Sequence, residues 1–200
     1  MDSLENQKEF RHSMASQNAM ATPLWEVLGH LIEYPNSENI SRFEELMAPV
    51  KNFTPKLAEK FESFVEFTKN KSIRELEEFY VPIFDVHGIS CLDVGYVLFG
   101  EEYKRGEFLV NISRLQRESN NENGPELADH LPYLLKLLPK MKSGEEKTEL
   151  VELILIPAVE KMKEALVNLK GAKSIYGIPF LVIYEFLKLE LETLSRGSSC

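Results

Sequence analysis

The chain has 200 residues, 44% of them hydrophobic, and a formal net charge of −9. That length and apolar content suffice to bury the core of one domain without disulfide staples, which sets intrinsic disorder aside. The negative balance argues against a phosphate-backbone partner, so no nucleic acid is expected.

Residues 1–20 are polar and read as a mobile N-terminal segment. Thr22 as N-cap and Pro23 in the first turn then predict a helix that buries Leu24, Val27, Leu28 and Leu31 and stops at Pro35. A short helix is expected around Ile40 to Met47. Thr54 and Pro55 repeat the Thr-Pro start, with Leu57, Phe61, Phe64, Val65 and Thr68 spaced for one buried face. Ser72 and Glu75 stand as a capping box before Ile73, Leu76, Phe79, Tyr80 and Ile83. DVHGISCLD reads as a loop from its Gly and Ser content. A short helix to Phe99, a break at Gly100 and a longer helix to about Glu118 come next, and NNENGP reads as an exposed turn.

In ELADHLPYLLKLLP, Leu131, Leu134, Leu135 and Leu138 repeat at helical spacing, with Asp129 where an N-cap belongs. Ser143 and Glu146 predict another capping box, opening a helix that runs to Gly171 and that Pro157 should kink or split. A last helix is expected from about Pro179. Its FLVIY is β-prone, but the Glu, Lys and Leu after it favour helix. No run alternates convincingly as a strand. The expected fold is all-α: one globular domain of roughly eight to ten helices over residues 21–195, with 196–200 as a flexible tail.

Cys91 and Cys200 are far apart with no CxxC, which is neither a disulfide framework nor a zinc pattern and suits a reducing cytoplasm. The opening MDSLENQKEF lacks the apolar core of a signal peptide, and no apolar run is long enough to span a bilayer, so the protein is expected not to be membrane-embedded. P-loop, GxGxxG, GxSxG and HExxH motifs are all missing. His12, His30, His87 and His130 are dispersed. No catalytic residue, metal ligand or cofactor is therefore assigned. Asp129 and His130 leave two readings open, a helix cap beside an idle surface histidine or an ionisable pair in a binding site. A helical metal-dependent hydrolase acting through this pair and a plain helical interaction scaffold stand as functional alternatives.

The order of segments adds a resemblance. YVPIF ends one helix, CLDVGYVLFGEEYKRG comes after a Gly-containing loop, and ELADHLPYLL comes next. This succession resembles the TorD/DmsD/NarJ family of redox-enzyme maturation chaperones, with LIEYP and KRGEFL closest to the NarJ-like branch. The likeness spans Leu24 to Leu138, and the last third agrees only in helical character. It implies an all-helical cytoplasmic chaperone that binds the leader or N-terminal peptide of a molybdoenzyme catalytic subunit before export or membrane attachment. Proteins that deliver the molybdenum cofactor are further implied partners. An apolar peptide with arginines needs an aromatic-lined groove with carboxylates at one end. Tyr80, Ile83, Phe84, Leu98 and Phe99 are expected to line it, with His87 in the adjoining loop. Glu126 and Asp129 are expected to face the arginines, with His130 tuning the site near neutral pH. The expected assembly is a monomer with some dimer.

Overall fold

The computed structural model describes residues 18–85, 89–121, 124–142, 144–167, 169 and 171–197. Among them the chain forms nine helical stretches and no strand. The first, α1 (Asn18–His30), starts four residues before the expected Thr22 cap and runs through Pro23. Beyond the expected stripe it also buries Trp25, and Ile32 just past its end is fully buried. This segment is therefore central rather than one-sided.

The second stretch, α2, is built in three sections: Ser37–Ser41, a 3-10 turn at Phe43–Leu46, and Met47–Phe53. Thr54 does not cap the next helix. Its hydroxyl donates to Val50 O at the end of α2, and Pro55–Leu57 forms a 3-10 turn leading into α3 (Ala58–Lys69). The capping box is present at α4 (Ile73–Phe84), where Ser72 Oγ accepts from Glu75 N–H and Glu75 Oε2 accepts from Ser72 N–H. The short α5 (Val94–Phe99) ends at Gly100, whose φ of 61° suits a residue without Cβ. The long α6 (Tyr103–Glu118) ends through Asn120 at φ 49°, with Asn121 N–H bonded back to Gln116 O, as in a Schellman cap. Asn121 is buried rather than part of an exposed turn. Its amide donates to Gln116 Oε1 and to Tyr133 O.

The leucine-rich α7 (Leu131–Leu137) runs on into a 3-10 turn, Leu138–Lys140. Next, α8 begins as Glu145–Glu149, widens into a π-helical section at Leu150–Leu155 and continues as Ile156–Val167. Pro157 does not split it. Ile156 N–H bonds five residues back to Val151 O, and this wider turn makes room for the ring that an ordinary turn would exclude. Ser143 of the expected capping box lies outside the described residues. The last stretch, α9, enters by a 3-10 turn at Gly171–Tyr176 and continues as Gly177–Gly197, so FLVIY is helical and residues 196–197 belong to the helix.

One core holds these stretches together. Helix α1 packs on α7, α8 on α9, and α5 on α6 and α8. Two buried phenols fasten the helices: Tyr80 of α4 donates to Ile32 O, and Tyr176 donates to Leu76 O of α4. Lys147 is buried where α8 meets α9 and is paired with Glu190 at 2.6 Å. No helix among the described residues is long and apolar enough to cross a membrane.

The α4 cap is a direct test of this local reading. Ser72→Ala removes one of the two reciprocal bonds and should cost about 1 kcal/mol, lowering the melting temperature by about 2–4 °C. Ser72→Asn, which caps as well, should melt with the wild type.

Candidate functional site

Helices α5 and α7 begin side by side because the residues preceding them pair in an antiparallel bridge, Asp93 opposite His130. Leu131 N–H, the first of α7, donates to Leu92 O, and Val94 N–H, the first of α5, donates to Asp129 O. Each helix start thus finds the partner its own turn cannot supply. Gly95 N–H, the next donor of α5, goes to Asp129 Oδ2 at 2.9 Å.

Asp129 therefore does not cap its own helix. His130 occupies the N-cap position of α7, and the Asp129 carboxylate caps α5 instead. It is fully buried, so it does not line a groove or face a partner's arginines. Gly95 is required for this approach, since a Cβ there would lie 2.8 Å from both Asp129 Oδ2 and Phe108 Cδ1. Burial raises the Asp129 pKa, opposed by the Gly95 hydrogen bond and reinforced by the Asp93 charge. Asp129 Oδ1 and Arg105 Nε are both buried with no hydrogen-bond partner among the described residues.

In front of the bridge opens a cavity of about 420 Å³. Glu33, Tyr34 and Asn36 after α1 form one wall, and Tyr80, Phe84 and Asp85 at the end of α4 form the next. Cys91, Leu92 and Asp93 before α5 face Pro125, Glu126, His130 and Tyr133 around the start of α7. The wall is aromatic: Tyr34 meets Tyr80 edge-on at 5.4 Å, and Tyr80 lies 4.8 Å from Phe84. Behind them Phe84 stacks on Phe180 and meets Tyr176, which anchors the wall in the core.

The carboxylates differ in what they already hold. Asp93 receives His130 Nδ1 at 3.2 Å and Arg105 at 3.3 Å, and the His130 bond above all, against burial, lowers its pKa. Arg105 in turn lies over the Tyr96 ring. Glu33 receives Lys136 at 2.5 Å on one oxygen and His30 at 2.7 Å with Asn39 at 2.8 Å on the other. Burial opposes its ionisation, yet His30 and Lys136 outweigh that and hold the carboxyl at about 2. The Cys91 thiol is half-buried, and burial pushes its pKa up. Among the described residues no group of three or more His, Cys, Asp or Glu is placed to hold a metal ion.

Of the expected site residues, Tyr80, Phe84, Glu126 and His130 converge on this cavity. Ile83 is fully buried beneath it in the core. Leu98 and Phe99 are part of α5 but do not line the cavity; Leu98 packs on the core and Phe99 meets Phe108 edge-on at 5.7 Å. His87 lies outside the described residues. Sequence reasoning missed Glu33, Tyr34, Asp85, Asp93 and Tyr133 as lining groups. The signals were present, in LIEYP and in the residues flanking YVPIF and DHLP, but nothing in their spacing says that three loops meet. No family model matches the chain, and no curated protein is significantly similar to it. The resemblance to redox-enzyme maturation chaperones therefore stands on the quoted motifs.

Two variants separate the buried roles. Asp129→Ala strands the Gly95 N–H and should destabilise by about 1–3 kcal/mol in chemical denaturation. Asp129→Asn keeps an acceptor and removes a desolvated charge. A raised folded-state pKa contributes stability that is present below the unfolded pKa and lost as pH rises through the folded one. The Asn variant should therefore gain on the wild type as pH rises from about 4 to 7.

Glu33 has the opposite sign. Its depressed pKa contributes stability that is present above the unfolded pKa and lost as pH falls through the folded one. Glu33→Gln should cost about 2–3 kcal/mol at pH 7, and the gap should close as pH falls from about 4.5 toward 2.

Proposed function

We propose that this chain is a cytoplasmic, system-specific chaperone. It binds the leader or N-terminal peptide of a molybdoenzyme catalytic subunit and holds that subunit during cofactor insertion, before export or membrane attachment. The observation that carries the reading is the cavity between the ends of α1 and α4 and the starts of α5 and α7. It lies where the YVPIF and DHLP motifs meet, and it sets aromatic faces beside carboxylates. An extended or helical peptide with apolar side chains and an arginine needs that mixture, because the rings supply contact area and the carboxylates answer the cation. Its partners in this reading are the catalytic subunit and the proteins that deliver the molybdenum cofactor.

The hydrolase alternative would need Asp129 and His130 to act together on one substrate. Their side chains part: the Asp129 carboxylate is buried against Gly95, and His130 turns to Asp93 at the cavity. The scaffold alternative would use an apolar face. The exposed carboxylate of Glu126 beside the aromatic wall of this opening favours a cationic peptide instead.

Cys91 lines the cavity and offers a local probe. In a Cys200→Ser background, the synthetic N-terminal peptide of the host's molybdoenzyme catalytic subunit should slow alkylation of Cys91 at least about tenfold, as occupancy well above Kd requires. Purification of the tagged chain from its host should bring down that subunit, identified by mass spectrometry. Unaltered alkylation at saturating peptide, with no molybdoenzyme subunit recovered, would overturn the reading.

A further inference from the structure

We propose that Arg105 is a two-position latch governed by His130: it holds Asp93 while His130 is neutral and turns to the buried Asp129 carboxylate when His130 is protonated. This switch lies within the chain and does not depend on peptide binding.

One cation stands between two carboxylates. The Arg105 stem packs against Gly95, with Cγ 3.3 Å and Asp129 Oδ2 2.8 Å from the point that a Gly95 Cβ would occupy. The stem therefore already lies beside the buried carboxylate. Yet the guanidinium goes the other way, over the Tyr96 ring to Asp93 Oδ2 at a long 3.3 Å. Two buried atoms are left out by that choice. Arg105 Nε and Asp129 Oδ1 both lack a hydrogen-bond partner among the described residues. Unpaired buried polar atoms each cost free energy, and these two are a donor and an acceptor of opposite charge.

The charge on Asp93 keeps Arg105 where it is. Neutral His130 gives Asp93 Oδ1 a hydrogen bond at 3.2 Å but no charge, so Arg105 is the full cation paired with Asp93. Imidazole is the side chain that gains a proton as pH falls from about 8 to about 5. A proton on His130 turns the same contact into an ion pair, and Asp93 no longer requires Arg105. The released guanidinium gains most at Asp129, whose charge is fully buried and least screened. Asp93, with its side chain 23% exposed, takes water in place of Arg105.

Asp129 is a rival destination for that proton, because burial raises its pKa. Geometry favours His130. A proton on Asp129 Oδ1 would find no acceptor among the described residues, whereas His130 Nδ1 already faces Asp93. The Tyr133 ring packs beside His130, and Glu33, Tyr34, Tyr80, Asp85, Cys91 and Glu126 share its cavity. Glu33 is already held by Lys136 and His30, while Asp85 and Glu126 bring no cation that could replace Arg105 on Asp93. The Tyr34 and Tyr80 phenols and the Cys91 thiol are pushed up, by burial first, and stay protonated across this range.

Double-mutant cycles by chemical denaturation of the full chain read the two pairings separately. One cycle combines Arg105→Gln with Asp93→Asn and the other Arg105→Gln with Asp129→Asn, each at about pH 8 and about pH 5.5. At the higher pH the Arg105–Asp93 cycle should show a coupling of about threefold in the unfolding equilibrium, and the Arg105–Asp129 cycle a smaller one. At the lower pH the order should reverse, with Arg105–Asp129 at least about tenfold. In a His130→Gln background, which takes no proton, the higher-pH order should persist throughout. An order that stays the same at both pH values in the wild-type background, or a reversal that survives His130→Gln, overturns the inference. Should a variant fail to fold, the wild type decides. Its Arg105 Nε–H resonance, assigned through bonds by NMR, should shift with the same midpoint as the His130 imidazole, and a resonance that does not follow that titration overturns the inference as well.

Discussion

The bridge between Asp93 and His130 is the constraint on which the rest depends. Neither α5 nor α7 has a side chain of its own that caps its first turn. Each borrows from the segment leading into the other: Leu131 N–H from Leu92 O, Val94 N–H from Asp129 O, and Gly95 N–H from the Asp129 carboxylate. Buried donors left without these acceptors would each cost free energy comparable to a lost hydrogen bond. Two short helices that would be marginal alone therefore start at one place, and the residues of the bridge become one wall of the cavity.

That arrangement explains why adjacent residues have opposite fates. Residues flanking an extended bridge point to opposite sides. Asp129 turns inward, fully buried, while His130 turns to the opening and meets Asp93. Burial of the inward carboxylate raises its pKa, and the backbone donor Gly95 N–H opposes that rise. Its neighbour Arg105 reaches round α5 to Asp93 and lies over Tyr96, so a side chain of α6 helps to set the charge at the cavity. On the facing side Lys136 and His30 fix Glu33 in the same way.

The other half of the site is set by the core. Tyr80 and Phe84 are spaced four apart on α4 and so share a face. The Tyr80 hydroxyl is spent on Ile32 O, at the exit from α1, and Phe84 is backed by Tyr176 and Phe180. The rings that face the opening are the outer layer of the apolar core and share its rigidity.

The sequence by itself determined the local features. Helical periodicity, the Ser72–Glu75 box, the break at Gly100 and the preference for helix in FLVIY were legible because each depends on residues within a few positions of one another. Misreadings came where a nearby motif was outbid from afar. Thr54 looks like a cap but bonds back to α2, and Pro157 looks like a break but is absorbed by a π-helical section of a packed helix. Asp129 looks like the cap of its own helix and serves another 34 residues away in sequence. Tyr80, Phe84, Glu126 and His130 could be singled out by chemistry, but only the tertiary structure decided that they meet, that Ile83 and Asp129 lie behind them, and that Glu33 and Asp93 complete the wall. Side-chain identity carries propensity and charge along the chain. Which charges are already neutralised, and which donors find acceptors, is decided by loops that approach only when the core forms.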